Sequence, residues 1–188
     1  MCSSIYWDHC FGLAALEGTS LCSAETNAKL AEMARWQWDD ASMAQRLRDG
    51  TEIAFCDQNI RLEYPDRGQI AVRTADIAFS GALCLNLGGL TAQLLPLPNS
   101  HAAGSLAVFV PEEQALILGD IICEDFYGSN PPVHDPAKLA GMIEALEALD
   151  FEIALYGHGE PATESKADLM GYLRKMLAAC GAQQEEHD

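Results

Sequence analysis

Histidine and aspartate residues stand at the ends of apolar runs in four separate places along this chain. The pair Asp8-His9 comes near the beginning, and His101, Asp120 and His158 each lie where an apolar stretch gives way to small or polar residues. Functional side chains are often placed at such junctions between strands and loops. A fold for this chain must therefore bring four distant segments to one place.

These five side chains offer the donor atoms that a divalent cation uses. Three imidazoles and two carboxylates supply nitrogen and oxygen, which suit Zn²⁺, Fe²⁺ or Mn²⁺. Gly104 follows His101 by three residues and allows the backbone to turn sharply there. A single histidine in a loop is more often merely exposed, but four junctions carrying this set of donors favour a metal site.

Apolar runs through the second half of the chain predict a sheet. Gly88-Gly89 indicates the turn of a hairpin between two of these runs. Continuous apolar stretches are typical of strands that are buried on one or both faces. The predicted strands cover Leu83–Leu87, Leu90–Leu97, Leu106–Val110, Ala115–Ile122 and Ile153–Tyr156.

Helices are predicted on either side of these strands. The residues suited to begin them are Ser23, Asp39 or Asp40, Asp135 followed by Pro136, and Thr163. The segment Thr51–Asp66 is expected to hold a short apolar piece and polar turns. Strands mixed with covering helices predict layered α and β structure in one domain, here residues 1–182, followed by a polar tail at 183–188.

Charge and composition exclude several classes of function. The formal net charge of −17 argues against binding of nucleic acid, because such a surface repels the phosphate backbone. No apolar run reaches the roughly 18 residues that a membrane helix needs, and no secretory signal is visible. The seven cysteines form no CxxC pair. We expect a cytoplasmic protein that acts on a small molecule.

The stretch Ser-Ser-Ile-Tyr-Trp-Asp-His-Cys-Phe-Gly at residues 3–12 resembles the metallo-β-lactamase superfamily motif His-x-His-x-Asp-His. Further along, His101-x-x-Gly104-Ser105, Gly119-Asp120 and Gly157-His158-Gly159 are similar to the later metal motifs of that fold, closest to its glyoxalase-II-like hydrolases. The resemblance covers nearly the whole chain and implies a four-layer αββα sandwich with metal at the sheet edges.

The resemblance also shows a departure from the motif. Ser4 and Tyr6 stand where the first two histidines of His-x-His belong, and neither is a usual zinc donor. In such proteins those histidines and the residue matching His101 hold the first metal. The first metal site is therefore expected to be absent or very weak.

The positions of the second metal are all kept. The resemblance implies one metal held by Asp8, His9, Asp120 and His158, with His101 as a fifth ligand or a hydrogen-bond donor. Zinc is the first candidate, with iron or manganese as alternatives. The implied activity is hydrolysis of an ester, thioester or lactone. Asp8 or Asp120 would orient the attacking water and take its proton, and His101 would steady the tetrahedral intermediate.

Two alternatives to an active single-metal site follow from the same residues. In the first, the site has decayed and its side chains persist as a buried polar network, in a silent protein that binds a metal, a ligand or a protein partner. In the second, Cys10 or Cys123 replaces a missing histidine as a ligand, although a free cysteine is more often a small core residue.

Metallo-β-lactamase proteins carry several strands and a helix before the His-x-His motif, whereas this sequence reaches its motif within a few residues. The resemblance therefore predicts a domain that lacks most of its first strands and leaves an apolar sheet surface bare. A homodimer or higher homo-oligomer is expected to cover that surface. The alternative is that a longer natural protein has been trimmed.

Overall fold

The computed structural model describes residues 2–159 and 162–185, which fold into two sheets flanked by helices. The strands are β1 (Leu21–Ser23), β2 (Ile77–Phe79), β3 (Leu83–Asn86), β4 (Thr91–Leu95), β5 (Ala107–Val110), β6 (Ala115–Gly119), β7 (Ile153–Tyr156) and β8 (Glu164–Ser165). The helices are α1 (Trp7–Cys10), α2 (Ala24–Met33), α3 (Asp40–Arg48), α4 (Ala54–Glu63), α5 (Pro136–Glu147) and α6 (Lys166–Glu185).

The larger sheet has six strands in the order β3-β4-β5-β6-β7-β8. Its neighbours are antiparallel except β6 and β7, which run parallel and are joined through α5. The smaller sheet is the parallel pair β1-β2. This is the mixed α and β architecture with two sheets that the sequence predicts, and the hairpin at Gly88-Gly89 is confirmed.

The N-terminal segment joins the two sheets. The Cys2 backbone N–H donates to the Leu21 carbonyl in β1 over 2.9 Å, and the Ser3 carbonyl accepts from Leu106 N–H just before β5, also over 2.9 Å. These two bonds fix residues 2–3 between the sheets, so the motif that follows is held at a defined place beside the large sheet.

Three of the predicted helix starts are confirmed by their caps. The side chains of Ser23, Asp39 and Asp135 accept backbone N–H bonds in the first turns of α2, α3 and α5. Thr163 is not the cap of the last helix, because β8 intervenes and the Ser165 hydroxyl accepts from Asp168 N–H instead. Residues 183–185 of the predicted polar tail continue α6, and 186–188 lie outside the described residues.

Helix α4 is the main secondary-structure element that the sequence did not predict. It occupies most of the segment expected to hold polar turns. Its N-cap residue, Ile53, offers no side-chain cap, and only Cys56, Asp57 and Ile60 of the helix are buried. The usual start signal and a long apolar stripe are both missing from this stretch, which explains the error.

The two faces of the large sheet differ in what covers them. Leu116 and Leu118 of β6 pack in a core with α5 and α6, together with Leu139, Leu146 and Leu169. Ile117 points to the opposite face, since side chains alternate along a strand. It pairs in register with Val108 and Leu155 and is 42% exposed although β6 is an inner strand. An apolar face of the sheet is therefore open to solvent.

In the part of the chain that the structure describes, no helix is long and apolar enough to cross a bilayer.

The predicted homo-oligomer can be tested at this open face. We expect a native mass near twice 20.3 kDa at micromolar concentration, because a second copy packed on this face would remove Ile117 from water. Ile117→Lys should shift the mass to that of one chain, as measured by light scattering. The control is Leu62→Lys on α4, which charges an equally apolar but unrelated exposed position. A parent protein of one chain's mass would contradict the prediction.

Candidate metal centre

Four separate elements position the predicted ligands. Asp8 and His9 lie on the short helix α1, and Asp120 and His158 follow the parallel strands β6 and β7 within one or two residues of their ends. His101 lies in the loop between β4 and β5. Because the carboxyl ends of neighbouring parallel strands lie at the same edge of a sheet, Asp120 and His158 lie close together. Helix α1, which follows the N-terminal segment, places Asp8 and His9 at the same edge.

The structure brings four of the five predicted residues into one cluster. One ligand atom from each of Asp8, His9, Asp120 and His158 lies within 4.8 Å of the others. The Oδ2 atom of Asp120 is 2.9 Å from His9 Nε2 and 3.1 Å from His158 Nε2. The Oδ2 atom of Asp8 is 2.9 Å from His158 Nε2 and 3.5 Å from His9 Nε2. The cluster thus has two nitrogen and two oxygen donors.

These spacings fit a small divalent ion. Donors that surround a tetrahedral zinc at 2.0–2.1 Å are about 3.3–3.4 Å from each other, close to the separations between the imidazoles and the carboxylates. His9 also has the outer support common for a metal-binding histidine, because its Nδ1 lies 3.0 Å from the Ser3 hydroxyl. A hydroxyl can donate or accept, so Ser3 can hold either tautomer of the ring.

Two glycines allow Asp120 to reach this position. Gly119 ends β6 with a φ of +55°, a conformation that favours glycine. A side chain at Gly157 would place its Cβ only 2.3 Å from Asp120 Oδ1. Position 157 therefore favours glycine because the Asp120 carboxylate occupies the space that a side chain would need.

The charges in the cluster support one another. Burial alone would raise the pKa of Asp120, but the hydrogen bond from His9 and the nearby imidazoles lower it below its ordinary value. Burial opposes the charge on His9, and the carboxylates of Asp120 and Asp8 nevertheless raise its pKa. The carboxylates and imidazoles thus compensate each other's charge through these contacts.

His101 lies beside the cluster rather than in it. Its Nε2 is 3.8 Å from Asp120 Oδ2 and is buried without a hydrogen-bond partner. Its Nδ1 lies 3.4 Å from the Glu124 carbonyl, which can only accept, so a proton on Nδ1 would satisfy this contact. Burial lowers the pKa of this ring. A neutral ring with its proton on Nδ1 offers a lone pair at Nε2, whereas a ring with its proton on Nε2 would donate toward Asp120, as the predicted role of hydrogen-bond donor requires.

Ser4 and Tyr6 do not act as replacement ligands. The Tyr6 hydroxyl donates to the His101 carbonyl over 3.0 Å, and the Tyr6 ring packs 4.3 Å from the His101 ring. Burial raises the pKa of the Tyr6 phenol, so it stays protonated. The Ser4 hydroxyl is buried and has no partner. Within the described residues, the cluster of possible ligands does not extend to a second metal position.

The thiols considered as substitutes also remain outside the cluster. Cys10 is fully buried, and its Sγ donates to the Ile5 carbonyl. Burial raises the pKa of Cys123 to about 11, which disfavours the thiolate that a metal requires. The structure thus favours the interpretation of both cysteines as packing residues.

A cavity of about 360 Å³ adjoins the cluster. Asp8, His101, Asp120 and His158 contribute to its lining, and the rest of the wall is Tyr6, Trp7, Phe55, Cys56, Asn59, Cys123 and Phe126. Phe55 and Phe126 stack on each other with ring centres 6.1 Å apart. Phe55 and Asn59 were not among the predicted site residues because α4 was not predicted, and Phe126 was not among them because it lies in the irregular loop after β6. Helical spacing of Phe55 and Asn59 is the signal that could have placed them on one face.

Adding a methyl group at Gly157 tests the packing around Asp120. Gly157→Ala is expected to lower the free energy of unfolding by about 1–3 kcal/mol, because the new Cβ collides with the carboxylate. Urea denaturation of metal-free protein measures it. Gly171→Ala in α6 is the matched control, since nothing lies within 4 Å of its added Cβ; it should be neutral or stabilising. Equal stability of parent and Gly157→Ala would contradict the described contact.

No protein-family model and no curated protein sequence matches this chain. Solved structures do resemble it. A metallo-β-lactamase family protein from Thermus thermophilus aligns with a TM-score of 0.54 and 17% identity, over 98% of this chain and 59% of its own. The sec-alkylsulfatase Pisa1 from Pseudomonas sp. aligns with a TM-score of 0.59 and 14% identity, over 94% of this chain and 31% of its own.

The B3 metallo-β-lactamase BLEG-1 aligns with a TM-score of 0.53 and 16% identity, over 90% of this chain and 72% of its own. This chain thus spans less than two thirds of the Thermus and Pseudomonas proteins. Identities this low establish architecture and leave the substrate open. The two sheets, their flanking helices and these structural matches together show that the chain has the metallo-β-lactamase fold.

Proposed function

We propose that this chain binds one divalent metal ion through Asp8, His9, Asp120 and His158 and hydrolyses an ester, thioester or lactone. The observation that carries the proposal is the convergence of these four side chains, with one ligand atom of each within 4.8 Å of the others. Two of the similar structures are named as a β-lactamase and an alkylsulfatase, both hydrolytic activities.

Zinc is the proposed ion, with iron or manganese as alternatives that suit the same donors. A bound ion of this kind supplies Lewis acidity and lowers the pKa of a coordinated water, to about 7 for zinc. Asp120 and His9 are largely buried, whereas the side chain of His158 is 61% exposed. The buried pair would hold the ion from the protein side, and the solvent side would stay open to water and substrate.

The chain's own groups would handle the proton. His101 Nε2 has no hydrogen-bond partner and lies 3.8 Å from Asp120 Oδ2, so a ring with its proton on Nδ1 would be placed to take a proton from the attacking water. Asp8 and Asp120 would orient that water. The water oxygen bonds to the carbonyl carbon, the bond to the leaving oxygen or sulfur breaks, and the proton passes to the leaving group.

The competing function is a silent protein that uses the same fold for binding. The replacement of the two motif histidines by Ser4 and Tyr6 favours it, since no second cation would assist the nucleophile. For location, we propose the cytoplasm, supported by the free state of all seven cysteines.

Metal binding is the first test. Dialysis against zinc followed by elemental analysis should give one ion per chain, and the ion should raise the melting temperature. Ser3→Ala should weaken binding roughly 10–100-fold through loss of the support to His9, and Asp120→Asn should weaken it further. Asp49→Asn, at an exposed position after α3, should leave it unchanged. A stoichiometry near zero after zinc and iron supplementation would reject the proposed site.

Activity is the second test. The metal-loaded parent should hydrolyse members of an ester and lactone panel, and His101→Ala should lower kcat by about 10²–10⁴-fold while one ion per chain is retained. That combination separates a proton acceptor from a ligand. The double change Ser4→His with Tyr6→His distinguishes the silent protein: hydrolysis that appears only in the double variant would show that the natural chain is inactive.

A further inference from the structure

We propose that the site takes neutral substrates whose apolar arm packs into the adjoining cavity, and that it discriminates against substrates whose arm is anionic. The inference rests on the function proposed above, because it names the substrate class of the same site. It is carried by the shape and chemistry of the cavity wall together with the charge of the cluster.

The wall of the cavity is mainly aromatic. Tyr6 and Trp7 come from the N-terminal segment, Phe55 from α4, and Phe126 from the loop after β6. Phe55 is 61% exposed and lies nearly parallel to Phe126, with 26° between the ring planes. A large exposed aromatic such as Phe55 that stacks on a second aromatic at a cavity is suited to contact a ligand or partner. The two rings offer an apolar contact surface at the mouth of the site.

The other three side chains of the wall, those of Cys56, Cys123 and Asn59, are uncharged. Burial raises the pKa values of Cys56 and Cys123 to about 11 each, so both line the cavity as neutral thiols. The Asn59 side chain is uncharged, and its Nδ2 donates to the Phe55 carbonyl over 2.8 Å. Outside the candidate metal cluster and His101, the wall therefore presents neutral groups.

The electrostatics of the site offer no partner for an anionic arm. Among the described residues, the cavity lining includes neither lysine nor arginine. The two carboxylates of the cluster, Asp8 and Asp120, cancel the charge of a divalent ion that they hold. The net charge of the whole chain is −17. Away from the open position of the ion, a carboxylate or phosphate in the cavity would lose water without gaining a counter-charge, and that loss is costly.

The size of the cavity sets the kind of arm. About 360 Å³ is at the lower end for pockets that hold small molecules. A short alkyl or a phenyl group beside the reacting carbonyl is suited to this space, and a bulky cofactor conjugate is not. Each methylene of an alkyl arm buried there should strengthen binding about fourfold.

Binding of two inert amides tests the proposal. N-phenylhexanamide and N-phenyladipamic acid have arms of the same length, and only the second ends in a carboxylate. Calorimetric titration of metal-loaded protein should give at least about tenfold tighter binding of the neutral amide. Phe126→Ala should weaken that binding, since it removes part of the wall. Equal or tighter binding of the acid would overturn the proposal, and so would an unchanged affinity in Phe126→Ala.

A charge added to the wall provides a gain-of-function test. Asn59→Lys places a cation in the cavity lining. It should lower the ratio of the affinity for the neutral amide to the affinity for the acid by about two- to fivefold. Leu62→Lys adds the same charge on the same helix outside the lining, and should leave the preference as in the parent. An equal effect of both variants would show that overall charge, and not the cavity, decides.

Failure of this inference differs from failure of the proposed function. If no metal binds, the proposed function fails, while the dependence of amide binding on arm length and on Phe126 is still measurable in metal-free protein. If metal binds and esters with anionic arms are hydrolysed as fast as neutral ones, the hydrolase stands and the substrate class proposed here is wrong.

Discussion

The Asp120 carboxylate organises the candidate site. It is 8% exposed, and one of its oxygens faces the Nε2 atoms of His9, His158 and His101 at 2.9, 3.1 and 3.8 Å. A buried carboxylate is tolerated only with such partners, so its burial and the convergence of the imidazoles depend on each other. The absence of a side chain at Gly157 makes room for it. The ends of β6 and β7 thereby become a place where charge is concentrated.

The N-terminal segment has two functions at once. Backbone bonds from residues 2 and 3 tie the small sheet to the large one, and the Ser3 hydroxyl supports the ring of His9. Tyr6 fills space beside His101 that an additional imidazole could otherwise use. The same few residues therefore connect the two sheets and support a predicted metal ligand. This arrangement explains how the chain keeps its fold although two motif positions hold residues that do not bind metal.

Much of this arrangement could be predicted from sequence, because it depends on local signals. Asp120 and His158 follow apolar runs that are readily predicted as strands. The helix caps predicted at Ser23, Asp39 and Asp135 are confirmed. The cavity wall could not be predicted in the same way. Helix α4 lacks a capping side chain and buries only three of its residues, so the helix start and the apolar stripe that local reasoning relies on are both weak there. The surroundings of the His101 ring likewise include the carbonyl of Glu124, a residue distant in sequence that meets the ring only in the folded chain.

The uneven exposure of the four cluster residues has a consequence for how an ion would be kept. His9 and Asp120 are almost closed off from water, whereas His158 projects into solvent between two glycines and Asp8 is partly accessible. Release of an ion would begin at the His158 ring, which is the most exposed of the four cluster side chains. Exchange with the surrounding pool would then be fast relative to a fully enclosed centre. The element found in the protein would follow which metal its surroundings supply, more than any selectivity built into the four donors.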